Sequence, residues 1–201
     1  MVTLVRRPRY LGIHSGFTRP FSAILTIVIV LCFSAAAIVT AAELSRHNEY
    51  ELKATFLYNF IRFTAWPPEE LRTSSDPFVI GVLGKDPFGS DLDRVIEGET
   101  VNDKTVVIKR FAKVEEAAGS HVLFISFSEE HNLASIIRAL DGKSVLTVSD
   151  IENFAQRGGI INLKKENNRI VFEINLDIAK RAGLTMNAQL LKLARIVKDR
   201  S

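Results

Sequence analysis

The chain has 201 residues, with 26 basic and 23 acidic side chains and a single cysteine, Cys32. Four of the basic residues and none of the acidic residues lie in residues 1–42, so residues 43–201 carry 22 basic against 23 acidic side chains. A segment this close to neutral lacks the basic excess that nucleic-acid binding requires. The absence of cysteine from it excludes disulfides, thiol nucleophiles and cysteine metal ligands.

Residues 1–42 have the pattern of an export signal. Four arginines precede an almost wholly apolar run over residues 21–39, and the segment ends in the small residues Ala41 and Ala42. This order is typical of a secretory signal peptide, so we expect cleavage near Ala41 or Ala42 and export. The run is also just long enough to cross a bilayer, which leaves an uncleaved N-terminal anchor as the alternative. In both cases residues 43–201 form a single domain outside the cytoplasm.

The first element of that domain is a helix predicted from Glu49 to Ala65, with Asn48 as its N-cap and Pro67 as its end. Its apolar residues fall into two adjacent stripes: Tyr50, Ala54, Leu57 and Ile61, and beside them Phe56, Phe60 and Phe63. Together the stripes are wider than the apolar face of a surface helix. The helix is therefore either deeply buried or presents its second stripe to another protomer or partner. The candidate partner-binding residues are Tyr50, Phe56, Phe60 and Phe63.

The rest of the domain alternates short apolar runs with helical patterns, which indicates β-α-β units. In chain order we expect a strand at 78–83, a helix at 87–96, a strand at 105–111, a helical turn at 114–118, a strand at 121–126, a helix at 129–140, a strand at 144–148, a short helix at 151–156, strands at 159–163 and 169–174, and helices at 176–182 and 187–197. Short links favour a mostly parallel sheet with helices on both faces. The polar link at 164–168 indicates an antiparallel hairpin at the sheet edge. The predicted fold class is α/β, with an N-terminal helix and two C-terminal helices.

No catalytic or metal-binding motif occurs in this domain. His47, His121 and His131 have no partner at the spacing of metal ligands, and no serine lies in a Gly-x-Ser-x-Gly turn. We therefore expect no enzyme activity, no metal and no cofactor. An exported hydrolase would need one of these missing motifs.

A small-ligand sensor is the alternative from a different class. Ligands of parallel sheets bind at the carboxyl ends of the strands, where Gly84, Lys85 and Ser126 are the candidate ligand-binding residues. The segment around Gly84 and Lys85 matches neither the dinucleotide fingerprint nor the P-loop. Backbone N–H groups at the following helix start could still receive an anion.

Several segments of the domain together resemble the YfiR family of periplasmic proteins. They are residues 50–60 with Trp66-Pro67, then 81–84, 86–89, 122–126, 142–149, 158–163 and 168–175, and finally 183–184 with 190–194. The resemblance implies a periplasmic regulator that binds the sensing domain of an inner-membrane diguanylate cyclase. Such a regulator represses the cyclase and so lowers cyclic-di-GMP and biofilm formation.

Two further partners follow from the same resemblance. It implies a homodimer, and it implies that an OmpA-like outer-membrane lipoprotein can sequester the regulator. The best-known members carry disulfides in the mature domain, whereas residues 43–201 contain no cysteine. Redox control through such disulfides is therefore excluded for this chain.

Overall fold

A computed structural model describes residues 46–68 and 76–198 of the chain. The expected signal peptide and its cleavage site lie outside these residues. Residues Ser45–Ser201 make up one compact unit. Among the helices that the structure describes, none combines the length and apolar character needed to cross a bilayer.

The chain alternates strands and short helices, as the apolar pattern predicts. Helix α1 covers residues 46–62. The elements after it are β1 (Thr64–Ala65), β2 (Phe78–Leu83), α2 (Ser90–Ile96), β3 (Thr100–Val101), β4 (Lys104–Phe111), α3 (Val114–Ala117), β5 (Val122–Ile125), α4 (Leu133–Ala139), β6 (Leu146–Ser149), β7 (Ile161–Glu166), β8 (Arg169–Asn175), α5 (Leu176–Arg181), β9 (Thr185–Met186), α6 (Ala188–Leu193) and β10 (Arg195–Val197), with 3₁₀ turns at Phe127–Asn132 and Phe154–Gln156.

An eight-stranded sheet in the order β10-β8-β7-β6-β5-β2-β4-β3 forms the centre of the domain. Strand β2 pairs in parallel with β4 and β5, and β5, β6 and β7 continue the parallel arrangement. Strands β7 and β8 form the expected antiparallel hairpin. These pairings confirm an α/β fold with a mostly parallel sheet. A separate two-stranded sheet, β1 with β9, was not predicted.

Both faces of the sheet are covered by helices, which explains why β2, β5 and β6 are buried along their whole length. On one face, α1, α2, α5 and α6 pack on the larger apolar core. On the other, α3 and α4 pack on a smaller core around Leu123, Ile125 and Phe154. Trp66, which we expect to fill the core at the end of the first helix, is buried in the larger core. Its indole N–H donates to the Ser144 carbonyl at 3.0 Å.

The C-terminal end departs from the prediction. The helix expected over residues 187–197 ends at Leu193, and residues Arg195–Val197 form strand β10 instead. Ala194 already has extended backbone angles, and β10 then pairs in parallel with β8. The predicted hairpin is therefore not the edge of the sheet, because β10 lies outside it. The β-branched pair Ile196-Val197 fits a strand better than a helix end.

Several element boundaries also differ. Asn48, expected as the N-cap of the first helix, lies inside α1. The helix expected from residue 87 begins at Ser90. The helix expected over 129–140 is divided into the 3₁₀ turn Phe127–Asn132 and α4, and that expected over 151–156 is only the turn Phe154–Gln156. These differences lie mainly at element ends, where helices fray and a turn is often 3₁₀.

Gly159 provides a test of the packing on the smaller core. A Cβ atom at this residue would lie 2.1 Å from a ring carbon of Phe154, which is fully buried. We expect Gly159→Ala to lower the free energy of unfolding by about 1–3 kcal/mol, since the ring has to move. Urea unfolding followed by the fluorescence of Trp66, the single tryptophan, measures the change.

The matched control is Gly119→Ala, where an added Cβ meets nothing within 4 Å. This change should alter the free energy of unfolding by less than about 1 kcal/mol. Equal effects of the two substitutions would contradict the packing described for Phe154.

Candidate functional site

A buried ion-pair cluster joins α1 to the carboxyl end of β6. The side chain of Lys53 is only 4% exposed, and its ammonium group lies 2.6 Å from Glu49 Oε1 and 2.7 Å from Asp150 Oδ2. The ammonium group also lies 4.3 Å from the centre of the Tyr50 ring, within the range of a cation–π contact. Lys165 of β7 binds the other oxygen of Glu49 at 3.0 Å. The cluster thus fastens α1 to two neighbouring strands.

Asp150 follows the last residue of β6 and receives two donors on one oxygen. The Tyr50 hydroxyl donates to Asp150 Oδ2 at 2.9 Å, beside the bond from Lys53. Burial is the largest cause that raises the pKa of the Tyr50 hydroxyl. The negative charge of Asp150 and this hydrogen bond raise it further. Asp150 Oδ1 is buried and accepts no hydrogen bond within the described residues. Tyr50 is therefore held within the domain by its polar end.

Glu49 is held in its charged form by the same cluster. Burial alone would raise the pKa of this carboxyl, but hydrogen bonds from Lys53 and Lys165 outweigh it and bring the pKa below the ordinary 4.5. A carboxylate that is paired in the folded state stabilises the fold as long as it stays ionised.

The contacts of Lys53 are those of a buried ion pair. Two carboxylates and an aromatic ring surround the Lys53 ammonium group, so Lys53 is engaged as an ion-pair partner. Over residues 46–68 and 76–198, no group of three or more His, Cys, Asp or Glu side chains could hold a metal ion. The geometry supports a structural role in positioning α1.

The three candidate ligand-binding residues do lie together at the carboxyl ends of β2 and β5. The backbone N–H of Lys85 donates to Ser128 Oγ at 2.9 Å, and the N–H of Ser128 points to Ser126 Oγ at 3.4 Å. Gly84 has a φ of +86°, and a Cβ there would come within 2.5 Å of Ser128 Oγ. The Ser128 side chain fills space beside Gly84 and accepts the N–H of Lys85, both of which a ligand would need. Ligand binding at Gly84, Lys85 and Ser126 stays a prediction.

The segment before α2 binds a carboxylate of its own. Asp86 Oδ1 accepts the N–H of Phe88 at 2.7 Å, two residues before α2 begins at Ser90, so anion binding at the helix start itself stays a prediction. Arg110 of β4 then binds Asp86 Oδ2 at 2.7 Å and Asp93 of α2 at 2.6 Å. The hydrogen bonds that Arg110 donates to Asp93 and Asp86 raise its pKa, so the guanidinium group stays charged. The segment before α2 is thereby tied to the sheet.

The four candidate partner-binding residues do not share one environment. Phe60 is fully buried and packs against Phe172 of β8, with ring centres 5.4 Å apart, so it belongs to the core and not to a surface. Tyr50 is half-buried and bound to Asp150. Phe56 and Phe63 are half-buried, and Phe56 contacts the same Phe172 ring at 5.6 Å. Phe60 therefore offers no exposed area to a partner in this structure, and partner binding at Tyr50, Phe56 and Phe63 stays a prediction.

Other apolar side chains are more exposed than any of these four. Within the described residues, the large exposed apolar side chains are Leu52 (44%), Phe127 (63%), Leu193 (75%) and Ile196 (50%). Leu52 was missed because it stands outside both predicted stripes of α1. Its position four residues before Phe56, one helical turn away, is the signal that could have found it.

A sequence model of the YfiR/HmsC-like family matches residues 50–195. The chain belongs to the YfiR/HmsC-like family. This family comprises periplasmic, non-catalytic regulators of diguanylate cyclase signalling. The match spans the described domain almost from the start of α1 to the start of β10.

Removal of Lys53 tests the cluster. We expect Lys53→Met to lower the free energy of unfolding by about 3–5 kcal/mol, since Glu49 and Asp150 would then be buried without their cation. The double variant K53M/D150N should cost less than the sum of the two single changes. Urea unfolding of all three proteins measures the costs.

An exposed ion pair serves as the control. Arg157 and Glu130, 3.2 Å apart and both partly exposed, form such a pair, and Glu130→Gln should cost less than about 1 kcal/mol. A cost for Lys53→Met as small as this would show that the cluster does not hold α1.

Acid should weaken the same cluster. Because the pKa of Glu49 is lowered in the folded state, its stabilising effect is present above pH 4.5 and is lost as the pH falls through the folded-state value. We therefore expect the free energy of unfolding to decrease when the pH is lowered below about 4.5. Glu49→Gln should reduce this slope, and an unchanged slope in that variant would contradict the assignment.

Proposed function

We propose that the protein represses an inner-membrane diguanylate cyclase by binding its periplasmic sensing domain. Repression lowers cyclic-di-GMP synthesis and hence biofilm formation. The membership of residues 50–195 in a family of periplasmic regulators carries this proposal. The polar clusters of the domain, which bind its own helices and strands, agree with a protein that acts by contact.

Helix α1 offers a surface for such a contact. Leu52, Phe56 and Phe63 lie along one flank of the helix, at spacings of four and seven residues, and all three retain exposed area. The ion pairs of Lys53 hold the helix in position, so the flank is presented in a fixed orientation. A preorganised apolar surface loses less conformational entropy on binding than a mobile one.

Two further partners belong to the same proposal. The chain forms a homodimer, and an OmpA-like outer-membrane lipoprotein sequesters it from the cyclase. The resemblance of the domain sequence to the family supports both.

Deletion of the gene tests the function. We expect the deletion to raise cellular cyclic-di-GMP, measured by mass spectrometry of extracts, because the cyclase is no longer repressed. The full-length chain should restore the original level. A deletion strain with an unchanged level and an active cyclase with a periplasmic domain would refute the proposal.

The contact surface is tested in the same strain. Leu52→Glu should fail to restore the low level, because it places a charge on the apolar flank of α1. Phe127→Glu, at an exposed apolar position outside α1, should restore it fully. Equal behaviour of the two variants would show that this flank is not used.

A further inference from the structure

The outer edge of β10 is open in the described part of the chain. Strand β10 is the last strand of the eight-stranded sheet, and its inner edge pairs with β8, with Ile196 beside Ile174. Over residues 46–68 and 76–198, no strand pairs with the other edge of β10. An edge strand of this kind presents backbone N–H and C=O groups to which a further strand can bind.

The open edge is also apolar. Leu193, just before β10, is 75% exposed, and Ile196 within it is 50% exposed. Because Ile196 is in register with Ile174, its side chain lies on the face of the sheet that α1 covers. On that face Phe56 of α1 contacts Phe172 of β8, the strand next to β10. Ile196 therefore shares one face of the sheet with the apolar side chains of α1 and β8.

Two exposed lysines flank the edge strand in the described residues. Lys192 and Lys198 are exposed on either side of β10. Arg195 between them binds both carboxylate oxygens of Glu166 at 2.7 Å and is neutralised by it. If a second copy of the chain paired at this edge, its lysines would lie close to these lysines and repel them. Lysines on edge strands commonly prevent such self-pairing. An acidic segment would meet complementary charge instead.

We propose that β10 accepts an extended segment of a protein partner, with alternating apolar and acidic residues, as a ninth strand of the sheet. The partner's apolar side chains contact Ile196 and Leu193, and its carboxylates lie near Lys192 and Lys198. This inference rests on the proposed function, since the partner meant here is the sensing domain of the cyclase.

The test measures binding of the pure chain to the periplasmic domain of a membrane diguanylate cyclase from the same genome. The double variant Leu193→Glu with Ile196→Glu should bind at least about tenfold more weakly by titration calorimetry. Lys192→Glu with Lys198→Glu should also weaken binding, and raised salt should weaken binding of the unmodified chain. Hydrogen exchange should show protection of the amides of residues 195–197 in the complex.

The matched control is Phe127→Glu. Phe127 is 63% exposed and follows β5, four strands away from β10 in the sheet, so its variant should bind within about twofold of the unmodified chain. Urea unfolding followed by Trp66 fluorescence establishes that each variant is folded.

The possible outcomes distinguish the proposed function from the inference about β10. If the unmodified chain does not bind any such cyclase domain, the proposed function and this inference both fail. If the chain binds but the Leu193/Ile196 variant binds equally well, only the inference about β10 is overturned. If that variant instead abolishes self-association in sedimentation, a second copy covers the edge, which also overturns the inference.

Discussion

The burial of the Lys53 ammonium group determines how α1 lies on the sheet. A positive charge that is shielded from water needs anions beside it. Glu49 of the same helix and Asp150, at the carboxyl end of β6, provide them. Phe60 follows Lys53 by seven residues, about two turns of helix, so it lies on the same side and enters the core. The helix cannot turn about its axis without breaking the ion pairs.

The same constraint explains why the aromatic stripe is divided. Leu52, Phe56 and Phe63 are displaced around the helix from Lys53 and lie on one flank, where they keep exposed area. The spacing of the apolar residues groups Phe60 with Phe56 and Phe63. Spacing alone does not show which side of α1 faces the core. The direction is set by Asp150, which is 97 residues away from Lys53 in the chain.

The order of strands and helices could be predicted from the sequence, because the buried strands are continuous apolar runs. Residues Phe78–Leu83 and Val122–Ile125 are buried throughout, as strands covered on both faces should be. The C-terminal strand could not be predicted in this way. Leu190, Leu191 and Leu193 continue a helical pattern, and the change to a strand at Arg195 depends on pairing with β8 and on the ion pair with Glu166. Both partners are more than twenty residues away, and the β-branched pair Ile196-Val197 is a local signal too short to outweigh the helical pattern before it.

The position of the exposed apolar surface follows from how the fold uses its carboxyl edge. In open parallel sheets this edge is where ligands usually bind. Here Ser128 accepts the N–H of Lys85, Asp86 accepts the N–H of Phe88, and Asp150 binds Lys53. Because groups of the domain itself satisfy these positions, the edge holds the helices and the segment before α2 on the sheet. Large exposed apolar side chains lie on the flank of α1 (Leu52) and beside β10 (Leu193 and Ile196), and one, Phe127, follows β5. The exposed side chains on α1 and beside β10 are thus the ones on which the proposed function depends.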